Sequence, residues 1–330
     1  MPSLTDSHTF SLPSSCSFLI SVTDTNPISL AALRSTHFYL LGEGSNSIFV
    51  DDFEGVVVQN KIKGLESDDL NDVIMLRVGA GENWHDLITT CLKNHWYGME
   101  NLALIPGSVG AAPIQNIGAY GLEVSTFIES VEFIELETGA KHKIKSNECR
   151  FGYRDSIFKN DLAGKVLITH VNFVLPKSNY METSYGELAN LNAPTPEKIF
   201  NTVIGIRRKK LPDPRQWGNA GSFFKNPIID KSLLTQIQHE YPDIPFFCIS
   251  KTLVKVPAAW LIDKLGFKGK VLGGVQCHPH QPLVLVNIGS ATGKDVLEFA
   301  RLIMSRVKEK FNIELEPEVR LIGRNGLIEL

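Results

Sequence analysis

Ile105-Pro106-Gly107-Ser108-Val109-Gly110-Ala111-Ala112-Pro113-Ile114-Gln115-Asn116-Ile117-Gly118-Ala119-Tyr120-Gly121 is an uncharged run of mostly small residues, with four glycines and two prolines. It has neither the 3.6-residue apolar spacing of a surface helix nor the alternation of a half-buried strand. A disordered linker would be more polar. Glycine lets the main chain approach a partner closely. The run therefore reads as a loop that presses backbone against a large flat ligand, with a buried packing turn as the plainer alternative.

Upstream, the first third is rich in short strands. Residues 38–41 and 47–50 are apolar runs separated by Gly42-Glu43-Gly44-Ser45-Asn46, and residues 56–58 and 74–78 continue the pattern. The loop joins strand to strand, unlike the strand-to-helix dinucleotide fingerprint. Successive N–H groups in such a turn can form an anion-binding nest, and Ser45 and Asn46 add side-chain donors. An ordinary glycine-rich hairpin turn is the commoner explanation. Trp84, Leu87, Ile88, Cys91 and Leu92 fall at helical spacing, with Gly98 as the stop.

Downstream, residues 130–136 and 165–175 are strand-like, and Thr195 with Pro196 opens a helix that runs to Arg207-Arg208-Lys209-Lys210. Leu211-Pro212-Asp213-Pro214 breaks the chain and marks a domain boundary. Beyond it lies Gly218-Asn219-Ala220-Gly221-Ser222-Phe223-Phe224-Lys225-Asn226-Pro227. Here one hydroxyl sits between small residues and two aromatics. Phe223 and Phe224 are expected to wall a flat ligand and exclude water, which leaves Ser222 as a proton donor in a dry pocket. A buried turn beside a strand competes with that reading. Helices are expected at 230–241, 257–266 and 292–311, with strands at 282–286 and 319–323.

An apolar fraction of 43% and a charged fraction of 21% suit a soluble globular chain. A net charge of −3 argues against a nucleic-acid partner, and no window approaches the roughly 20 apolar residues of a membrane span. Residues 1–17 are polar, with no basic start or long apolar stretch; they read as a flexible extension rather than a signal peptide. The five scattered cysteines form no CxxC pair and read as reduced thiols of a cytoplasmic protein. Cys277-His278-Pro279-His280 gathers three potential zinc ligands without a fourth. An exposed loop is the preferred reading, and no metal is expected.

In order and spacing, several runs together resemble the UDP-N-acetylenolpyruvoylglucosamine reductase family over about residues 36 to 325. They are Leu41 to Asn46, Ile105 to Gly121, Phe151-Gly152-Tyr153-Arg154-Asp155-Ser156, Ser184-Tyr185-Gly186, Lys210 to Pro214, Gly218 to Pro227, and Glu316-Pro317-Glu318-Val319-Arg320. The Tyr185 segment is similar to the tyrosine loop of the type I members, which folds over the substrate. The resemblance implies an α+β fold of three domains. Two form a vanillyl-alcohol-oxidase-like FAD-binding fold and the third is an α/β substrate-binding domain. The expected boundaries are an extension over 1–17, a first FAD subdomain over 18–65, and a second over 66–211 with the tyrosine loop near 180–190. The substrate domain spans 212–317, and 318–330 returns to the first subdomain.

The implied reaction has two halves. NADPH reduces a noncovalently held FAD. The enolpyruvyl ether of UDP-N-acetylglucosamine then takes a hydride from flavin N5 and a proton at the neighbouring carbon, giving UDP-N-acetylmuramate for peptidoglycan. Hydride addition drives negative charge into the substrate carboxylate. Arg154 and Glu318 match the family's stabilising pair: a guanidinium that stays charged and forks onto carboxylates, and a carboxylic acid that donates when protonated. Their plainer alternatives are a salt bridge with Asp155 and a solvated edge-strand charge. Ser222 matches the proton donor, with Lys225 or a bound water open as its helper.

Tyr185, Lys210 and Asn226 match contacts to the substrate diphosphate, and Gln281 a uridine or sugar contact. Arg208 and Lys209 are accounted for by a helix C-terminus. The expected flavin contacts are Gly42, Gly44, Ser45, Asn46, Pro106, Gly107, Gly118, Ala119, Tyr120, Arg207 and Arg320. The expected partners are the UDP-sugar and NADPH, and the expected assembly is a monomer. A flavin oxidase of the same fold acting on a sugar or hydroxy acid, and a nonenzymatic binding protein, are the competing functions. The joint presence of Arg154, Tyr185, Ser222 and Glu318 argues against both. One departure stands out: the family has Asn-Thr-Phe near its N-terminus, and Ser15-Cys16-Ser17-Phe18 is taken to stand in its place.

Overall fold

Ile74, Leu76 and Val78 alternate along the strand Val73–Gly79, and all three are buried while Arg77 between them is not. This is the period-2 burial of a sheet with one face on a core. The strand lies in a five-stranded antiparallel sheet ordered Lys141–Lys145, Ile128–Glu135, Val166–Pro176, Val73–Gly79, Leu65–Asp69. On its apolar face pack Trp84, Leu87, Ile88 and Cys91 of the helix Trp84–Lys93, and Ile199 and Val203 of the helix Pro196–Lys210. Asn83 caps the first helix by accepting from the Asp86 N–H at 2.9 Å. That helix ends at Lys93 with Asn94 as its cap, before the expected stop at Gly98.

The computed structural model describes residues 1–25, 37–178 and 180–330. The chain divides into two compact units. One comprises residues 1–2, 16–43 and 54–209, and the other residues 3–15, 44–53 and 210–330. The C-terminal boundary falls beside the expected Leu211–Pro214 break. Residues 44–53 group with the C-terminal unit, apart from the rest of 18–65. The pairing that draws them there is parallel: Arg320, Leu321 and Ile322 lie opposite Ser47, Ile48 and Phe49.

The second unit holds a four-stranded antiparallel sheet ordered Gly218–Ser222, Val284–Asn287, Val275–Cys277, Val271–Leu272. Helix Gly293–Phe311 buries Val296, Phe299, Ala300, Ile303 and Val307 in the same core. A capping box at Thr292 and Asp295 starts this helix, and Asn312 in the left-handed region ends it. Among the described residues no helix is long and apolar enough to cross a membrane.

Two expectations are corrected here. Residues 3–15 are not a loose tail: Leu4 and Phe10 are fully buried, and Phe10 and Leu12 belong to the core of the second unit. Backbone bonds hold the segment, with Leu4 N donating to Ser14 O at 2.8 Å and Asn219 N to Thr9 O at 2.9 Å. Three apolar side chains in a Ser/Thr-rich stretch suffice to anchor it. Cys277 is not in an exposed loop either. It ends a strand, fully buried, and burial pushes its thiol pKa up to about 12. His278 Nδ1 accepts the backbone N–H of Gln281 at 3.1 Å.

Candidate active site

In the first unit the two glycine-rich loops meet. A Cβ on Gly42 would sit 2.5 Å from Ser108 Oγ, and one on Gly110 would sit 2.5 Å from Ala80 Cβ. Only glycine lets the main chain come this close to those side chains. Four residues of the 104–121 segment and its surroundings lie in the left-handed region without being glycine: Leu104 (φ 59°), Asn116 (φ 45°), Tyr120 (φ 49°) and Arg154 (φ 54°). Each costs on the order of 1–3 kcal/mol and persists only where contacts over-determine it.

Those contacts are specific. Arg154 donates through Nη2 to Gly118 O at 2.9 Å, and Lys159 Nζ donates to Arg154 O at 2.9 Å. Asn116 Nδ2 donates to Glu123 Oε2 at 2.8 Å and to Gly152 O at 3.0 Å, joining the loop to the Arg154 turn. Asp155, the residue offered as a salt-bridge partner for Arg154, accepts from Asn160 Nδ2 at 2.9 Å. The Tyr120 and Tyr185 rings meet edge to face, with centroids 6.4 Å apart. Arg207 reaches the same loop from helix Pro196–Lys210. Its Nε donates to Leu104 O at 3.2 Å, and its guanidinium shares a hydrogen bond with Tyr120. Burial pushes the Arg207 pKa down, and the charge of Arg154 pushes it the same way, while Tyr120 acts in the opposite sense. Arg154, Gly118, Ala119, Tyr120, Tyr185 and Arg207 are thus brought together.

In the second unit Ser222 ends the strand Gly218–Ser222, opposite Val284 and just past a register shift. Gly221 beside it has φ 74°, with open space where its Cβ would be. Glu318 N donates to Phe223 O at 2.8 Å, Arg320 N to Asn46 O at 2.8 Å, and Asn46 Nδ2 to Glu318 O at 3.1 Å. Ser222, Glu318, Asn46 and Arg320 therefore lie along connected backbone. Lys225 pairs with Glu316 at 2.5 Å.

The profile of the UDP-N-acetylenolpyruvoylglucosamine reductase C-terminal domain matches residues 213–322, and that of a FAD binding domain matches residues 26–144. A UDP-N-acetylenolpyruvoylglucosamine reductase from Pseudoalteromonas atlantica is 49% identical over 100% of this chain and 96% of its own length.

The chain belongs to the UDP-N-acetylenolpyruvoylglucosamine reductase family.

A member of the family from Idiomarina loihiensis is 44% identical, with 100% of this chain and 99% of the relative covered. The crystal structure of the reductase from Thermus caldophilus shares the fold, with a TM-score of 0.65 at 24% identity over 96% of each chain.

A reductase of this family uses FAD, and the residues present fit it. Burial raises the cost of the Arg207 charge and the charge of Arg154 adds to it, a cost that an anionic cofactor group would relieve. Other expected residues fare differently. Phe223 and Phe224 do not wall a ligand. Each is 1% exposed, and they pack on each other 4.9 Å apart within the core. The Asn226 Oδ1 accepts from Ala258 N at 2.9 Å, which gives that side chain a structural task at the start of helix Ala258–Lys264. Lys210 is exposed at its helix end, and Gln281 lies in a turn whose carbonyl accepts from Val284 N at 2.9 Å. Pro106 is exposed and Gly107 is buried, with φ 122°. Gly44 and Ser45 belong to the second unit, where a Cβ on Gly44 would fall 2.1 Å from Ser7 O.

Cys16 of the Ser15–Phe18 stretch begins a strand. Upstream of it, Thr9 Oγ1 donates to Asn219 O at 2.6 Å, and Phe10 O lies 2.5 Å from where a Gly218 Cβ would be.

Proposed function

We propose that the chain reduces the enolpyruvyl ether of UDP-N-acetylglucosamine to UDP-N-acetylmuramate in peptidoglycan precursor synthesis, and that both residue groups serve this one reaction. FAD, which Arg207 and the Gly118–Tyr120 stretch would help to hold, would supply the hydride chemistry that links NADPH to the terminal carbon of the enolpyruvyl group. The chain's own residues have three tasks.

The first is to hold the substrate's carboxylate as its charge grows. Arg154 suits this, because Gly118 O accepts from its guanidinium Nη2 and Lys159 Nζ donates to its own carbonyl, so both its head and its main chain are held. A preorganised donor does not have to reorient as charge develops. Glu318 shares the task as a hydrogen-bond donor in its protonated form. The second task is to give a proton to the carbon next to the carboxylate, which falls to Ser222 Oγ. One hydride and one proton then saturate the double bond, and NADPH leaves as NADP. The third is to hold the diphosphate, by Tyr185, Lys210 and Asn226, with Gln281 on the uridine or sugar. The enzyme works in the cytoplasm as a monomer on this reading.

The observation that supports it best is the bond from Glu318 N to Phe223 O at 2.8 Å. It carries the proposed acid, Ser222, and its proposed partner on adjoining strands of backbone. The test separates the half-reactions by stopped-flow flavin absorbance. Ser222→Ala should bleach with NADPH at the wild-type rate and regain colour with the enolpyruvyl sugar nucleotide about 10²–10⁴-fold more slowly, the usual worth of a positioned acid. Equal slowing of both halves removes Ser222 from the role.

A further inference from the structure

We infer that Asn101 is a positioning residue that clasps the tyrosine loop to the glycine-rich loop and so sets the angle of Tyr185. Asn101 is 1% exposed and sits in the turn Glu100–Leu102, inside the core of the first unit. Its Nδ2 donates to Tyr120 O at 2.8 Å and to Glu182 O at 2.9 Å. One carboxamide thus spends both of its protons on the main chain of two loops that are distant in sequence. Its own seat is fixed, because the neighbouring Glu100 carboxylate accepts the Gly98 N–H at 2.9 Å.

The two loops are shaped to accept the clasp. Tyr120 stands at φ 49° and Gly121 at φ 87°. A Cβ on Gly121 would lie 3.2 Å from Tyr185 Cβ and 3.3 Å from Glu182 Cγ, so this glycine leaves room for the tyrosine loop to sit against the other. Glu182 stiffens its own loop by accepting the Ser184 N–H at 2.7 Å. The edge-to-face contact of Tyr120 and Tyr185 is the product of these bonds. Asn101 touches neither substrate nor cofactor in this scheme. It acts through Tyr185, and the inference rests on the proposed contact between Tyr185 and the sugar nucleotide.

The experiment uses flavin-loaded protein. Asn101→Asp keeps the side chain's shape and removes both donors. Gly121→Ala crowds the same junction without touching Asn101. The enolpyruvyl sugar nucleotide is titrated without NADPH and its binding read from the flavin spectrum, and amide exchange over 182–188 is measured in parallel. Both variants are expected to weaken nucleotide binding by at least about tenfold and to speed exchange over 182–188. Flavin affinity and NADPH bleaching should stay within about twofold of wild type. Unchanged exchange and binding overturn the clasp. So does loss of flavin in step with loss of nucleotide, which would mark Asn101 as a general structural residue. Tyr185→Phe separates the two readings. If it leaves nucleotide binding intact while Asn101→Asp still speeds exchange, the Tyr185 contact fails and the clasp stands.

Discussion

Protonating His8 should loosen the second unit, and the size of the effect follows from where the ring sits. His8 is 2% exposed and packs 5.6 Å from the Phe49 ring. Among the described residues neither ring nitrogen makes a well-formed hydrogen bond, so a charged ring would have little beyond the Leu12 backbone to solvate it. Burial pushes its pKa down from 6.5 to about 4, with the Leu12 backbone acting the other way. Above pH 6.5 the ring is neutral whether the chain is folded or not, and its titration costs nothing. Between pH 6.5 and about 4 the unfolded chain takes up a proton that the folded chain refuses, so stability falls as pH falls. The loss is about 2 kcal/mol at pH 5 and about 3 kcal/mol near pH 4.

His8→Asn removes the titrating ring. Urea unfolding of both proteins at pH 8 and pH 5 should show the wild type losing about 2 kcal/mol more than the variant. Glu100 titrates with the opposite sign. Burial raises its pKa to about 7, so its contribution to stability declines as pH climbs from 4.5 towards 7. It is common to both proteins and drops out of the difference. Equal losses in wild type and variant would refute the account of His8.

Phe10→Ala should cost about 3–5 kcal/mol in urea unfolding, the usual range for emptying a buried phenylalanine site; a cost below about 1 kcal/mol would return residues 3–15 to the status of a loose tail. Arg207→Met should relieve a repulsion in the flavin-free protein while removing an anchor from the flavin-loaded one. FAD affinity, followed by quenching of flavin fluorescence, is expected to fall at least about tenfold with no drop in the apoprotein's melting temperature, and undiminished affinity would contradict the fit of this arginine to the cofactor.

What could be read from the residues divides along physical lines. Alternating burial at Ile74, Leu76 and Val78 and the Thr195-Pro196 helix start are local properties, and the strand Val73–Gly79 and the helix Pro196–Lys210 follow them. The uncharged 105–121 run was legible as unusual because composition is visible. Its left-handed residues were not, because a tyrosine or an arginine at positive φ is imposed from outside, as the carbonyl of Tyr120 is held by Asn101. Phe223 and Phe224 misled because aromatics beside a polar motif look alike whether they face a ligand or a core; only their burial with Phe10 and Leu285 decides. The N-terminal segment misled for the converse reason. Its serines and threonines outnumber the Phe10 and Leu12 that hold it.

The parallel pairing of Arg320–Ile322 with Ser47–Phe49 has a consequence for the chain's birth. The partners lie about 270 residues apart, an extreme of non-local contact. At roughly 5–20 residues per second, the segment 44–53 leaves the ribosome roughly 15–50 seconds before the strand that completes its sheet. The N-terminal residues of the second unit spend that interval waiting with Ile48 and Phe49 uncovered by the strand they await. Nascent chains stalled before residue 320 should therefore be the ones that chaperones hold longest.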